Sequence, residues 1–182
     1  MANVVPFWNG MAALMALAAA GASTRMARSG QVVGPRWSDL LLGVALGVAT
    51  WGAVRLLLPS VLAVVPGLAE GFTLVAGYAR QEPPAWAFIG MAAIAVAEEL
   101  VWRWFLPWRL GALGRYRAAV AVAFPYAAMH LFTGRYYLAP SALGFGLLWG
   151  LTTAWRGSPW LAVAWHVVFD WLVFLVAPPM GI

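Results

Sequence analysis

Long apolar runs, broken by Pro, Gly and Arg, set the layout of this chain. Runs of roughly 17–25 apolar residues can cross a bilayer as helices, and six such runs can be marked off. They cover about 4–22, 37–58 with an extension toward 65, 84–106, 117–132, 138–155 and 159–177. The stretch 67–80 is short and contains Glu70 and two glycines, so it is expected to lie at the interface or re-enter rather than span. The pattern therefore predicts an all-α fold, a polytopic transmembrane helical bundle of about six spans. The first run ends at Arg25 and Arg28 without a basic segment before it, which fits an anchored helix better than a cleavable leader.

Arginine positions give the expected orientation. With six spans, one side receives Arg25, Arg28, Arg36, Arg109, Arg115, Arg117 and Arg156, and the other receives Arg80 and Arg135. Basic loops stay in the cytoplasm, so the first set is expected inside and both termini outside. Trp37, Trp86, Trp104, Trp108, Trp155 and Trp160 fall near the ends of the runs, at the headgroup depth that indole rings prefer.

Composition agrees with the pattern. Of 182 residues, 64% are hydrophobic and only 9% charged, against roughly 25% charged in ordinary soluble domains. The net charge of +5 comes from arginines scattered singly between apolar runs. That spacing suits loops facing anionic lipid and gives no nucleic-acid surface. There is no Cys, which excludes disulfides, thiolate catalysis and Cys-ligated metals.

Against this apolar background a few polar residues stand out. Glu98 and Glu99 are adjacent inside the third run, with Arg103 following. A charged side chain at the bilayer centre costs roughly 2.5–3.5 kcal/mol on insertion scales, so this cluster needs a reason. In a helix Glu99 and Arg103 share a face, and Glu98 points about 100° away from Glu99. One acid can thus be neutralised by Arg103 while its neighbour faces a cavity as a general base. The only histidines, His130 and His166, and the only later acid, Asp170, also lie in apolar runs. His166 and Asp170 are four apart on one face, where the acid can fix the imidazole tautomer. Glu98 is expected about 20 Å from the outer end of its span, His166 about 10 Å and Asp170 about 17 Å from the inner end of theirs. These depths overlap. His130 meets them only if its helix tilts, shifts inward or starts nearer Leu113. A buried ion pair and satisfied interhelical histidines are the non-catalytic reading of the same residues.

The segment Glu98-Glu-Leu-Val-Trp-Arg103 resembles the EExxxR motif of the CPBP intramembrane proteases, also called the Abi or CaaX-protease family. Tyr126-Ala-Ala-Met-His130 is similar to that family's FxxxH motif, and His166-Val-Val-Phe-Asp170 to its HxxxN/D motif. The resemblance implies a four-helix catalytic core over 84–177, preceded by N-terminal helices and an interfacial segment over 1–83. It implies a glutamate-type endopeptidase of a bacterial cytoplasmic membrane, with no cofactor and no catalytic metal. Glu98 would activate a water with the help of His130, Glu99 and Arg103 would order the site, and His166 and Asp170 would stabilise the oxyanion. The partner implied is a peptide or protein substrate with a membrane-embedded segment: a prenylated tail, a leader or a C-terminal sorting signal. Two positions depart from the pattern. Tyr126 stands where Phe is usual and brings a hydroxyl. Asp170 stands where Asn is common, and an ionised Asp cannot donate, so it is equally suited to orienting His166.

Rival chemistries lack their residues. HExxH is absent, no His pair shares a helix turn, no Gly-x-Ser-Gly occurs, and Asp170 has only the boundary residue Asp39 as a second aspartate. Outside catalysis, the alternatives are a bacteriocin-immunity or scaffold protein and a proton-coupled carrier that uses Glu98 and the histidines as a relay.

Overall fold

The computed structural model describes residues 5–30, 34–65, 67–70, 73, 77, 84–132, 136 and 138–176. Arg80, Arg135, the first four residues, Ala177 and most of the expected interfacial segment 67–80 lie outside the described residues; 67–70 are helical. Among the described residues every regular element is a helix. Helix α1 covers Val5–Arg28 and α2 Trp37–Val64. Helix α3, Pro84–Glu98, passes into a π-helical stretch, Glu99–Phe105, and then into α4, Leu106–Arg109. Helix α5 is Arg115–Leu131, α6 is Leu138–Arg156, and α7, Trp160–Asp170, continues as a second π-helical stretch, Trp171–Val176.

Among the described residues, two helical segments are both long and apolar enough to cross a membrane: Trp37–Val64 and Ala85–Arg109. Trp160–Val176 is apolar but shorter. At 1.5 Å per residue the 25-residue segment measures about 37 Å, more than the roughly 30 Å hydrocarbon core. The outer faces suit lipid. Trp37, Leu56, Val64 and Phe132 are each more than three-quarters exposed, as side chains that face acyl chains can be.

Two helix pairs dominate the packing, α2 on α7 and α5 on α6. Both are built on glycines four residues apart, which let backbones approach closely where lipid provides no hydrophobic drive for association. A Cβ on Gly43 would lie 2.5 Å from the Leu161 carbonyl oxygen, and one on Gly47 would lie 2.9 Å from the Val168 side chain. On α6, Gly146 and Gly150 face Tyr126, Ala123 and Ala119 of α5 in the same manner. Trp149, Leu161, Trp165 and Phe169 fill the space between the pairs. Trp165 Nε1 donates to Thr50 Oγ1 at 2.9 Å, tying α7 to α2. At one end of the bundle Asp39, fully buried, accepts from Arg156 Nε at 2.9 Å and joins α2 to α6. Helix α6 stops at Gly157, whose φ of +63° allows its N–H to close on the Thr153 carbonyl at 2.9 Å. Helix α1 rests on α3 and on the π-helical stretch after it, burying Ala19, Ala22 and Met26.

Candidate active site

The π-helical stretch opens at Glu99 and contains Arg103. Its wider coil is marked by the Leu106 N–H bonding back to the Val101 carbonyl, five residues earlier. Such turns are rare and often lie at functional sites. Here the stretch buries Glu99 completely and leaves Arg103 3% exposed. Arg103 Nη1 lies 3.4 Å from Glu99 Oε1, so the pair four residues apart forms as the sequence predicts. His166 Nδ1 donates to the same Glu99 oxygen at 2.9 Å, a contact across 67 residues. His166 Nε2 lies 3.3 Å from Asp170 Oδ2, one helical turn on. Two carboxylates on the two ring nitrogens call for two N–H groups, the form a cationic imidazole has.

Aromatic rings enclose this network. Trp149 stacks on His166 with centroids 3.9 Å apart and 23° between the planes. The Arg103 guanidinium lies 3.8 Å from the centre of the Tyr126 ring and 5.2 Å from that of Trp149. Glu99 Oε2 and both Arg103 Nη atoms lack a hydrogen-bond partner among the described residues. For Arg103 the ion pair and the ring faces stand in for such partners, since a cation over an aromatic face is strongly attracted once desolvated.

Glu98 takes a separate environment. It is half-buried, and its Oε2 accepts the Tyr126 hydroxyl at 2.9 Å. His130 comes in through the same tyrosine: its ring meets the Tyr126 ring edge-on at 4.8 Å, and its Nδ1 donates to the Tyr126 carbonyl at 2.9 Å. In the neutral ring that bond leaves Nε2 as the acceptor. Helix α5 begins at Arg115, two residues earlier than expected and closer to Leu113, and His130 joins the site through its contacts with Tyr126.

All six residues singled out from the sequence thus fall into two adjoining groups. Glu99, Arg103, His166 and Asp170 form one, Glu98 and His130 the other, and Tyr126 touches both. Sequence reasoning missed the structural parts played by Trp149 and Tyr126. The added hydroxyl of Tyr126 was a visible signal; for Trp149 the signal was a tryptophan in mid-helix, away from the headgroup depth. Among the described residues no three His, Asp or Glu side chains are grouped so as to hold a metal ion.

A family model described as type II CAAX prenyl endopeptidase Rce1-like matches residues 80–172, half of the chain and the whole of this site. The chain belongs to the Rce1-like family, a membrane-embedded family of proteases that act on protein and peptide substrates. No curated protein and no solved structure matches it.

Proposed function

We propose that the protein is an intramembrane glutamate-type endopeptidase in which Glu98 is the general base. The observation that carries this reading is the unequal setting of two adjacent acids. Glu99 is locked by Arg103 and His166, whereas Glu98 is half-buried and accepts the hydroxyl of Tyr126, the residue whose carbonyl takes the His130 Nδ1–H. Glu98 takes a proton from a water as its oxygen attacks the scissile carbonyl, and His130 helps to hold and polarise that water. The His166 Nε2–H, restrained by Asp170 at 3.3 Å, turns to the oxyanion of the tetrahedral intermediate. As the intermediate collapses, the proton held by Glu98 passes to the leaving amine. Positioned general-base catalysis typically contributes about 10²–10⁴-fold, and a single oxyanion donor about 10²–10³.

In this reading the chain spans the membrane about six times with both termini outside. Residues 84–177 form the four-helix catalytic core and 1–83 the helices that precede it. The substrate is a peptide segment near the membrane, in a C-terminal or leader region of an exported or membrane-associated protein. The closed network around Glu99 also favours a scaffold role without chemistry, and one experiment separates the two. Purified wild type and Glu98→Gln are incubated with host membrane proteins, and new termini are read by mass spectrometry. A peptidase yields termini with the wild type that Glu98→Gln does not, at equal expression; identical termini would leave the scaffold.

A further inference from the structure

The site lies in the seam between the two helix pairs. Helix α7, paired with α2, carries His166 and Asp170, and α5, paired with α6, carries Tyr126 and His130. Trp149 of α6 reaches across the seam and stacks on His166 at 3.9 Å. Yet α6 and α7 pack on each other far more lightly than each packs on its own partner. A slide of α6 by about 1.5 Å, the rise of one residue, would shift the indole along the imidazole, so the stack needs a restraint from elsewhere. Helix α2 supplies one. Asp39, Gly43, Gly47 and Thr50 fall on one face of α2, within about 80° of each other. The last three meet α7 at Leu161, Val168 and Trp165. Asp39 meets α6 instead: its buried carboxylate takes Arg156 Nε at 2.9 Å, and Arg156 Nη2 lies 3.5 Å from Ser38 Oγ. Arg156 stands two turns beyond Trp149 on the same face of α6, about 10 Å along the axis. A buried ion pair gains little net stability over an apolar pair, because both charges are desolvated; fixing register is its best-attested use.

We infer that Asp39 and Arg156 are positioning residues of the active site, a clip between the helix pairs that holds Trp149 against His166. The inference rests on the peptidase reading and adds to it a contribution from α2, which lies outside the residues that the family model matches. The clip acts through His166. With one ring face covered by Trp149, the imidazole plane cannot tip, and its Nε2–H stays aimed where the oxyanion forms. An imidazolium over an indole face is also attracted to it, so the contact holds once the helices are in register.

His130 and His166 are the two histidines of the chain, so isotope labelling of histidine gives two ring signals, one within reach of the clip and one as control. Full-length protein in detergent is compared by NMR with Asp39→Asn, and Trp149→Leu supplies the position that the His166 signal takes without the indole. Asp39→Asn is the mild break, because the Arg156 side chain is 27% exposed and is hydrated once released. The expected result is a His166 signal that moves toward its position in Trp149→Leu while that of His130 stays. On a peptide found by the terminus experiment, kcat falls about tenfold or more with KM little changed, toward the roughly 10²-fold that a misplacement of about 1 Å costs. An unmoved His166 signal overturns the inference however far the melting temperature falls, since a merely structural pair lowers melting and leaves the ring in place. Equal movement of both histidines, or a moved His166 with unchanged kcat, overturns it as well. Should Asp39→Asn not fold, Asp39→Leu combined with Arg156→Leu removes both charges and leaves none unpaired, and the same two signals decide. The ring signals need no hydrolysis, so failure of the peptidase reading shows separately, as identical termini from wild type and Glu98→Gln.

Discussion

Tyr126 donates its hydroxyl to Glu98 while its backbone carbonyl accepts from His130, so a single residue of α5 holds both proposed partners of the attacking water. The same ring lies under the Arg103 guanidinium at 3.8 Å, which links the two halves of the site. Changing Tyr126→Phe keeps both ring contacts and removes only the bond to Glu98. A hydrogen bond to a charged group is worth about 1.5–3 kcal/mol, so kcat is expected to fall about tenfold or more with KM little changed. Steady-state kinetics on a peptide found by the terminus experiment check this. An unaltered kcat would mean the hydroxyl does not serve the base.

Glu98 and Glu99 are expected to fail in different ways. Glu98→Gln leaves the buried network intact and should melt like the wild type. Glu99→Gln removes the carboxylate that meets Arg103 and His166, leaving a buried cation uncompensated, at a cost of about 3–5 kcal/mol. Thermal unfolding in detergent distinguishes them: a large drop for Glu99→Gln and none for Glu98→Gln.

Asp170 can be tested by two substitutions. Asp170→Asn retains an oxygen for His166 Nε2 and adds a donor, so activity within about tenfold of wild type is expected. Asp170→Ala removes the restraint and should lose about 10²-fold, the scale of a lost oxyanion donor. Equal losses in kcat from both would show that the negative charge, not the orientation of His166, is what matters.

The glycine seam between α2 and α7 predicts opposite responses along one helix. Gly43→Ala forces a methyl against the Leu161 carbonyl, and overpacking of this kind destabilises by about 1–3 kcal/mol. Gly52→Ala, on the same helix, meets nothing within 4 Å and should stabilise by about 0.5–1 kcal/mol. Melting curves of the two variants should move in opposite directions.

Much of the site was legible because its key pairs are local. Glu99 with Arg103 and His166 with Asp170 are each four residues apart, and helical geometry alone puts such pairs on one face. Family motifs then joined the three segments. The cross-helix contacts were not legible. Whether Tyr126 reaches Glu98, or Trp149 covers His166, depends on the register of α5 and α6 against α3 and α7, which glycines and alanines set by backbone approach. The partner of Asp39 was hidden for the same reason, 117 residues away at Arg156. Span count is the other shortfall. Long helices form close to most of the expected runs, but among the described residues only Trp37–Val64 and Ala85–Arg109 combine the needed length and apolarity. Helices α5 and α6 carry Arg, Thr, Gly and Pro that lower their hydropathy while serving the interior.

The widened coil from Glu99 to Phe105 makes chain length itself a component of the chemistry. Each residue of an ordinary helix turns the chain by about 100°, so removing one residue between Val101 and Phe105 would swing every later side chain of that rod around its axis. If the residue removed is Trp102, Glu98 and Glu99 would stay where they are, yet Arg103 would leave the face on which it meets Glu99. A shortened variant with every named polar residue present would then fold as a bundle with no working centre.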